Sequence, residues 1–89
     1  MKIYATKTFK LQFEKTQKKN PKLKLRIKKQ LAILKDNPRH PSLKNHKLKE
    51  KQEDIWSISV GKNFRLLYLI KDGNYYLYDL GFHDQAYKS

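Results

Sequence analysis

There is no cysteine in these 89 residues, so a disulfide framework, a thiolate metal site and a Cys nucleophile are all excluded. Such a chain fits a reducing compartment. Glycine and proline number three each and fall at apparent segment ends, and no Ser-rich, polar or repeated tract suggests a linker or an internal repeat. Long apolar runs are missing too. The opening Met1-Lys2-Ile3-Tyr4-Ala5 has neither the apolar stretch of a signal peptide nor the length of a membrane span, so the expected address is cytoplasmic. Clustered carboxylates, a Gly-rich phosphate loop and metal-ligand spacing are absent as well, and the three histidines form no single metal motif, so no cofactor or metal is expected. The length points to one domain, residues 1–89, with a core large enough to fold alone and little to spare.

Negative charge is also scarce, with 8 Asp/Glu against 21 Lys/Arg and a net charge of +13. The imbalance is local. Residues 1–52 hold 17 Lys/Arg against 3 Asp/Glu, and residues 53–89 hold 4 against 5, giving +14 and −1. An excess confined to one part of a small chain favours a polyanionic partner, because Lys and Arg that neutralise phosphates release condensed counterions. The competing explanation is a solvated, self-repelling surface that serves solubility.

Lys2 to Thr6 reads as a short strand with Ile3 and Ala5 on one face. Phe9 and Phe13, one helical turn apart, mark a first helix capped by Thr6 or Thr8. Asn20-Pro21 is a cap followed by proline at the first helical position, and Leu23, Ile27, Leu31 and Leu34 form the apolar stripe of a second helix ending near Asn37. Its other face carries Lys22, Arg26 and Lys29, an arrangement typical of solvated surface. Pro38 to Asp54 reads as a long basic loop anchored by Leu43 and Leu48; a loop of this length is a functional candidate or a mobile connector. From Ile55 the period becomes two, with Trp56, Ile58 and Val60 on one face. Gly61-Lys62 suits a type II′ hairpin turn, Asn63 to Lys71 forms the next strand, and Asp72-Gly73 signals a type I′ turn into Asn74–Leu80. The expected fold is α+β: a strand, two helices, then a three-stranded antiparallel meander, with the helices packed on a curled sheet.

That order of elements resembles the RelE/ParE superfamily of toxins from type II toxin–antitoxin systems. The marks are His46-Lys47-Leu48-Lys49 in the loop, Trp56 opening the second strand, Asn63-Phe64-Arg65-Leu66-Leu67-Tyr68 in the third, and Leu80-Gly81-Phe82-His83-Asp84-Gln85-Ala86-Tyr87 at the end. The resemblance covers essentially the full chain. A histidine in the loop and another after the last strand look most like the RelE/YafQ-type messenger-RNA endonucleases. It implies a RelE-like fold, a cognate antitoxin in a hetero-oligomeric complex, and messenger RNA and the ribosome as partners. The same fold is shared by gyrase-inhibiting ParE-like relatives, and a catalytically silent RNA-binding member is the other alternative.

RNA carries its own nucleophile, the 2′-hydroxyl, so cleavage needs a base, an acid for the 5′-oxygen and positive charge at the phosphorane-like transition state, with no metal required. His83 is the first choice as general acid or base, since imidazole titrates near neutrality and the family position agrees; a surface histidine beside Asp84 is the alternative. The resemblance has His46 complete the acid–base pair or orient the phosphate, while His40 matches no family role. Arg65 is an isolated cation in an apolar strand, suited to the scissile phosphate, to a salt bridge with Asp79 or to simple solvent exposure at an edge position. Asp54 falls near an acid–base position of some relatives, and Glu53-Asp54 also suits capping. Tyr87 stacks on a base or orients the phosphate in relatives, or pins the tail. Lys44, Lys47, Lys49 and Lys51 suit contact with the phosphate backbone, and Tyr75, Tyr76 and Tyr78 suit sheet packing better than a base-stacking platform. Some RelE-type enzymes place a second Arg or Lys near the end of the last strand, whereas this chain has no basic residue between Lys71 and Lys88. That departure favours a histidine-based mechanism.

Overall fold

The computed structural model describes residues 2–48 and 54–82. Strand β1 (Ile3–Ala5) leads into helix α1 (Lys7–Lys19) and helix α2 (Pro21–Asp36). A 3-10 turn (Pro41–Leu43) and a two-residue strand β2 (His46–Lys47) follow, then β3 (Ile55–Gly61), β4 (Phe64–Lys71) and β5 (Asn74–Phe82). The strands form one sheet in the order β1-β5-β4-β3-β2, with β1 parallel to β5 and the other neighbours antiparallel.

The helix boundaries follow from capping. Thr6 Oγ1 accepts from the Phe9 N–H at 3.3 Å, and Asn20 Oδ1 accepts from Leu23 N–H at 3.4 Å ahead of Pro21. Of the α2 stripe, Ile27 and Leu34 are fully buried and join Phe9, Ile58, Leu66 and Tyr68 in the main core between helices and sheet. A smaller cluster of Leu48, Ile55 and Leu67 lies apart from it, with Leu69 and Tyr78 packed on its edge. Burial pushes the Tyr68 hydroxyl well above the usual tyrosine range, so it remains a neutral donor to Asn45 Oδ1 at 2.8 Å.

Three expectations are corrected. Pro38 to Asp54 is not an unstructured loop, since the 3-10 turn and β2 lie within it and β2 pairs with β3. The meander is accordingly the middle of a five-stranded sheet rather than the whole of one. The β3–β4 turn falls one residue later than expected. Gly61 pairs with Phe64, leaving Lys62 and Asn63 as the turn, and Asn63 takes the left-handed conformation (φ 60) that Asn tolerates. The cause is a bulge at Val60, where the register shifts between Ser59 and Gly61. A Cβ at Gly61 would sit 2.8 Å from Arg26 Nη1, the far end of an exposed, flexible side chain that can move aside. The Asp72-Gly73 turn forms as expected, with φ values of 52 and 77.

Two glutamines tie the helices to the sheet beside its irregularities. Gln12 on α1 accepts from the Leu80 N–H at 2.9 Å and donates to Asp79 Oδ1 at 2.8 Å, next to the β4–β5 register shift. Buried Gln30 on α2 donates to Ser59 O at 2.8 Å and to Ser42 O at 3.2 Å, joining helix, 3-10 turn and β3 at one point. Bulges release backbone groups from the strand ladder, and a side-chain amide can supply the missing partner. Gln30→Met keeps the volume and removes the donor. It should lower the unfolding free energy by about 1–3 kcal/mol with an unchanged denaturant slope in urea titration; an unmoved midpoint would show that Gln30 only fills space.

Candidate functional site

On a strand, side chains alternate between faces, and paired residues on neighbouring strands share a face. The β3–β4 register sets Ser57 opposite Leu67 and Ser59 opposite Arg65, and β2 places His46 opposite Ser57. His46, Ser57, Ser59 and Arg65 therefore lie on the face away from the main core. The backbones of His46 and Arg65 are two strands and one pleat repeat apart, roughly 12 Å from strand spacing and rise.

Arg65 is half-buried and lines a polar cavity of about 220 Å³ together with Lys44, Ser59, Gly61, Lys62 and Asn63. The expected alternative, a salt bridge to Asp79, does not form. Arg65 pairs across the hairpin with Gly81, while Asp79 accepts from Gln12 and from its own neighbour's N–H, Leu80. Among the described residues one salt bridge occurs, between Lys47 Nζ and Asp54 at 3.6 Å. Lys44 closes the 3-10 turn in the left-handed conformation (φ 46, ψ 44), and its N–H bonds Pro41 O at 3.2 Å.

His46 Nδ1 lies 3.0 Å from Lys44 O. A carbonyl only accepts, so Nδ1 carries the hydrogen and Nε2 is the basic nitrogen of the neutral ring. That tautomer suits proton exchange at Nε2. His40, given no role from sequence, caps the 3-10 turn by accepting from the Ser42 N–H at 3.1 Å. Asp54 accepts from Trp56 Nε1 at 2.8 Å besides holding Lys47, which ties both side chains to the β2–β3 edge. The tyrosines do not form one platform: Tyr75 packs on Tyr68 at 4.8 Å, Tyr76 stacks on Tyr4 at 5.2 Å, and Tyr78 joins the smaller cluster. His83, Tyr87, Lys49 and Lys51 lie outside the described residues.

Sequence reasoning missed Lys62 as a neighbour of Arg65. Lys62 reads as a turn residue. The signal was a hairpin carrying one cation in its turn and a second three residues later at the start of its strand. Away from this face, a second cavity of about 370 Å³ opens between the helices and the β1–β5 edge. Phe9, Phe13, Leu31 and Leu77 line it, with Lys10, Lys28 and Glu14 among its other residues.

Comparison with known proteins decides the family. The model for the ParE toxin of the type II toxin–antitoxin system parDE matches residues 3–87. The chain belongs to the ParE toxin family. As such it is a toxin of a type II toxin–antitoxin system. No curated protein matches it in sequence. Among solved structures it is similar to the YoeB/ParE toxin from Agrobacterium tumefaciens, at 20% identity and a TM-score of 0.79 over 93% of this chain and 99% of that one. It is also similar to a chain of the DinJ-YafQ complex of E. coli, at 19% identity and a TM-score of 0.79 over 93% of each chain. The YoeB-YefM complex from Staphylococcus aureus contains another similar chain, at 21% identity and 0.75, over 91% of this chain and 94% of that one. These likenesses establish a shared toxin fold.

The Asp54 assignment has a direct readout, because Trp56 is the single tryptophan. Asp54→Ala should change its emission and lower stability by about 1 kcal/mol, whereas Asp54→Asn, which keeps an acceptor oxygen, should preserve both. Unaltered emission in Asp54→Ala would contradict the indole contact.

Proposed function

We propose that this ParE-family toxin is a metal-independent messenger-RNA endoribonuclease that acts in the cytoplasm on ribosome-bound message and stops translation. The observation that carries the reading is Arg65: a half-buried guanidinium in a polar cavity with Lys44 and Lys62, on the same sheet face as His46. A site that presents three cations and no carboxylate fits a phosphodiester. In the reaction, a base takes the proton of the 2′-hydroxyl and the 2′-oxygen attacks phosphorus. The P–O5′ bond breaks, a 2′,3′-cyclic phosphate forms, and an acid protonates the departing 5′-oxygen. Arg65 stabilises the charge on the non-bridging oxygens, and His46 and His83 share the acid and base roles. Tyr87 orients the substrate, while Lys47, Lys49 and Lys51 contact the RNA backbone. Asp54 acts on this mechanism by holding Trp56 and Lys47 rather than by moving a proton.

The partner that silences the toxin is a cognate antitoxin, as the YoeB-YefM and DinJ-YafQ complexes suggest by analogy. An acidic, amphipathic antitoxin segment suits the apolar cavity beside Lys10 and Lys28 through charge and apolar complementarity. A second reading is favoured by the family description itself: a ParE-like gyrase inhibitor without nuclease chemistry. In that case His46 and His83 are dispensable.

Purified toxin incubated with programmed ribosomes and, separately, with naked messenger, with cleavage mapped by primer extension, decides between them. Arg65→Ala, His46→Ala and His83→Ala should each lower the cleavage rate by roughly 10²-fold or more. Growth arrest and inhibited supercoiling without any cleavage would establish the gyrase reading instead.

A further inference from the structure

We infer that the cavity beside Arg65 holds a second RNA phosphate, next to the scissile one, with Lys62 and Lys44 as its positioning residues. The inference rests on the nucleic-acid reading above and assigns it a subsite. Three of the six lining residues are cations and none is acidic. Among the described residues no carboxylate comes within salt-bridge distance of any of the three. Mutual repulsion opposes such a grouping unless an anion occupies it. Of the remaining polar side chains, the Asn63 amide carries two donor hydrogens, while the Ser59 hydroxyl donates to Gly61 O at 3.5 Å. Lys44 enters this wall from a left-handed backbone, uncommon for lysine, at the end of the turn that Gln30 holds through Ser42 O.

Position separates this phosphate from the reacting one. Along the sheet face the order is His46 opposite Ser57, then Arg65 opposite Ser59, then Lys62 in the turn beyond. A strand of RNA whose scissile phosphate lies between His46 and Arg65 carries its next phosphate toward Lys62 and Lys44. Those two lysines bind equally in ground and transition states, so they act on affinity, whereas Arg65 acts on the chemical step.

The test is binding of a short 2′-O-methyl oligoribonucleotide, which lacks the nucleophile, measured by fluorescence anisotropy across a KCl series. Lys62→Ala and Lys44→Ala should each reduce the slope of log K against log[salt] by about 0.7, the value for one phosphate contact on a single strand. Lys71→Ala, at the opposite β4–β5 turn, should leave the slope unchanged. Equal losses from Lys71→Ala and Lys62→Ala would reduce the site to diffuse surface charge and overturn the proposal. Unchanged slopes for Lys62→Ala and Lys44→Ala, with weakened binding of the antitoxin instead, would overturn it in favour of a protein carboxylate. Because this probe cannot be cut, a failure of the nuclease reading leaves the binding result standing. Where cleavage is observed, Lys62→Ala should raise KM with kcat retained, opposite to Arg65→Ala.

Discussion

One side-chain amide, that of Gln30, joins three parts of this small protein: α2, the turn that ends in Lys44, and the β3 residue opposite Arg65. A buried donor shared by two carbonyls constrains all three at once, because losing it leaves polar groups without partners in a low-dielectric interior. The bulge at Val60 gives the contact its setting. It lets Val60 and Phe64 both enter the core while Arg65 stays on the opposite face. A slip of one residue in this pairing would bury Arg65 and expose Leu66, so core packing and the cationic site depend on the same register.

Charge works against this arrangement. Residues 1–52 carry +14, and the one salt bridge among the described residues, Lys47 with Asp54, is half exposed and contributes little. Helices α1 and α2 keep their lysines at the surface, where water and salt screen them. Around Arg65 the cations converge on a concave site instead, and low-dielectric walls strengthen their field. In the proposed function, the charge that costs the free toxin stability is the same charge that draws a polyanion to the sheet face, or an acidic antitoxin to the surface that silences it.

Local signals made much of the fold legible. Asn20-Pro21, the Leu23-Ile27-Leu31-Leu34 stripe and Asp72-Gly73 each state a physical requirement within a few residues. The parallel β1–β5 pairing joins Ile3 to Tyr75, a separation no local pattern encodes, and β2 is too short to show a period. The β3–β4 turn differs from the sequence expectation because Gly61 suits a hairpin turn, whereas the bulge at Val60 keeps it in the strand, paired with Phe64. Gln30 looks like one more polar residue on a basic helix. At the site, His46, Arg65 and Lys44 were named from sequence and share a face or a cavity, while Lys62 was hidden as turn chemistry. Asp54, an acid–base or capping candidate from sequence, contacts Trp56 and Lys47.

The most direct test of the account is the chemistry of the RNA ends. Message recovered from ribosomes treated with the toxin should carry 2′,3′-cyclic phosphate and 5′-hydroxyl termini when fragments are analysed by mass spectrometry, because in the proposed reaction the 2′-oxygen is the nucleophile and the 5′-oxygen leaves. Fragments ending in 3′-hydroxyl and 5′-phosphate would mean that water attacks instead, and an uncut message from arrested cells would contradict the nuclease account altogether.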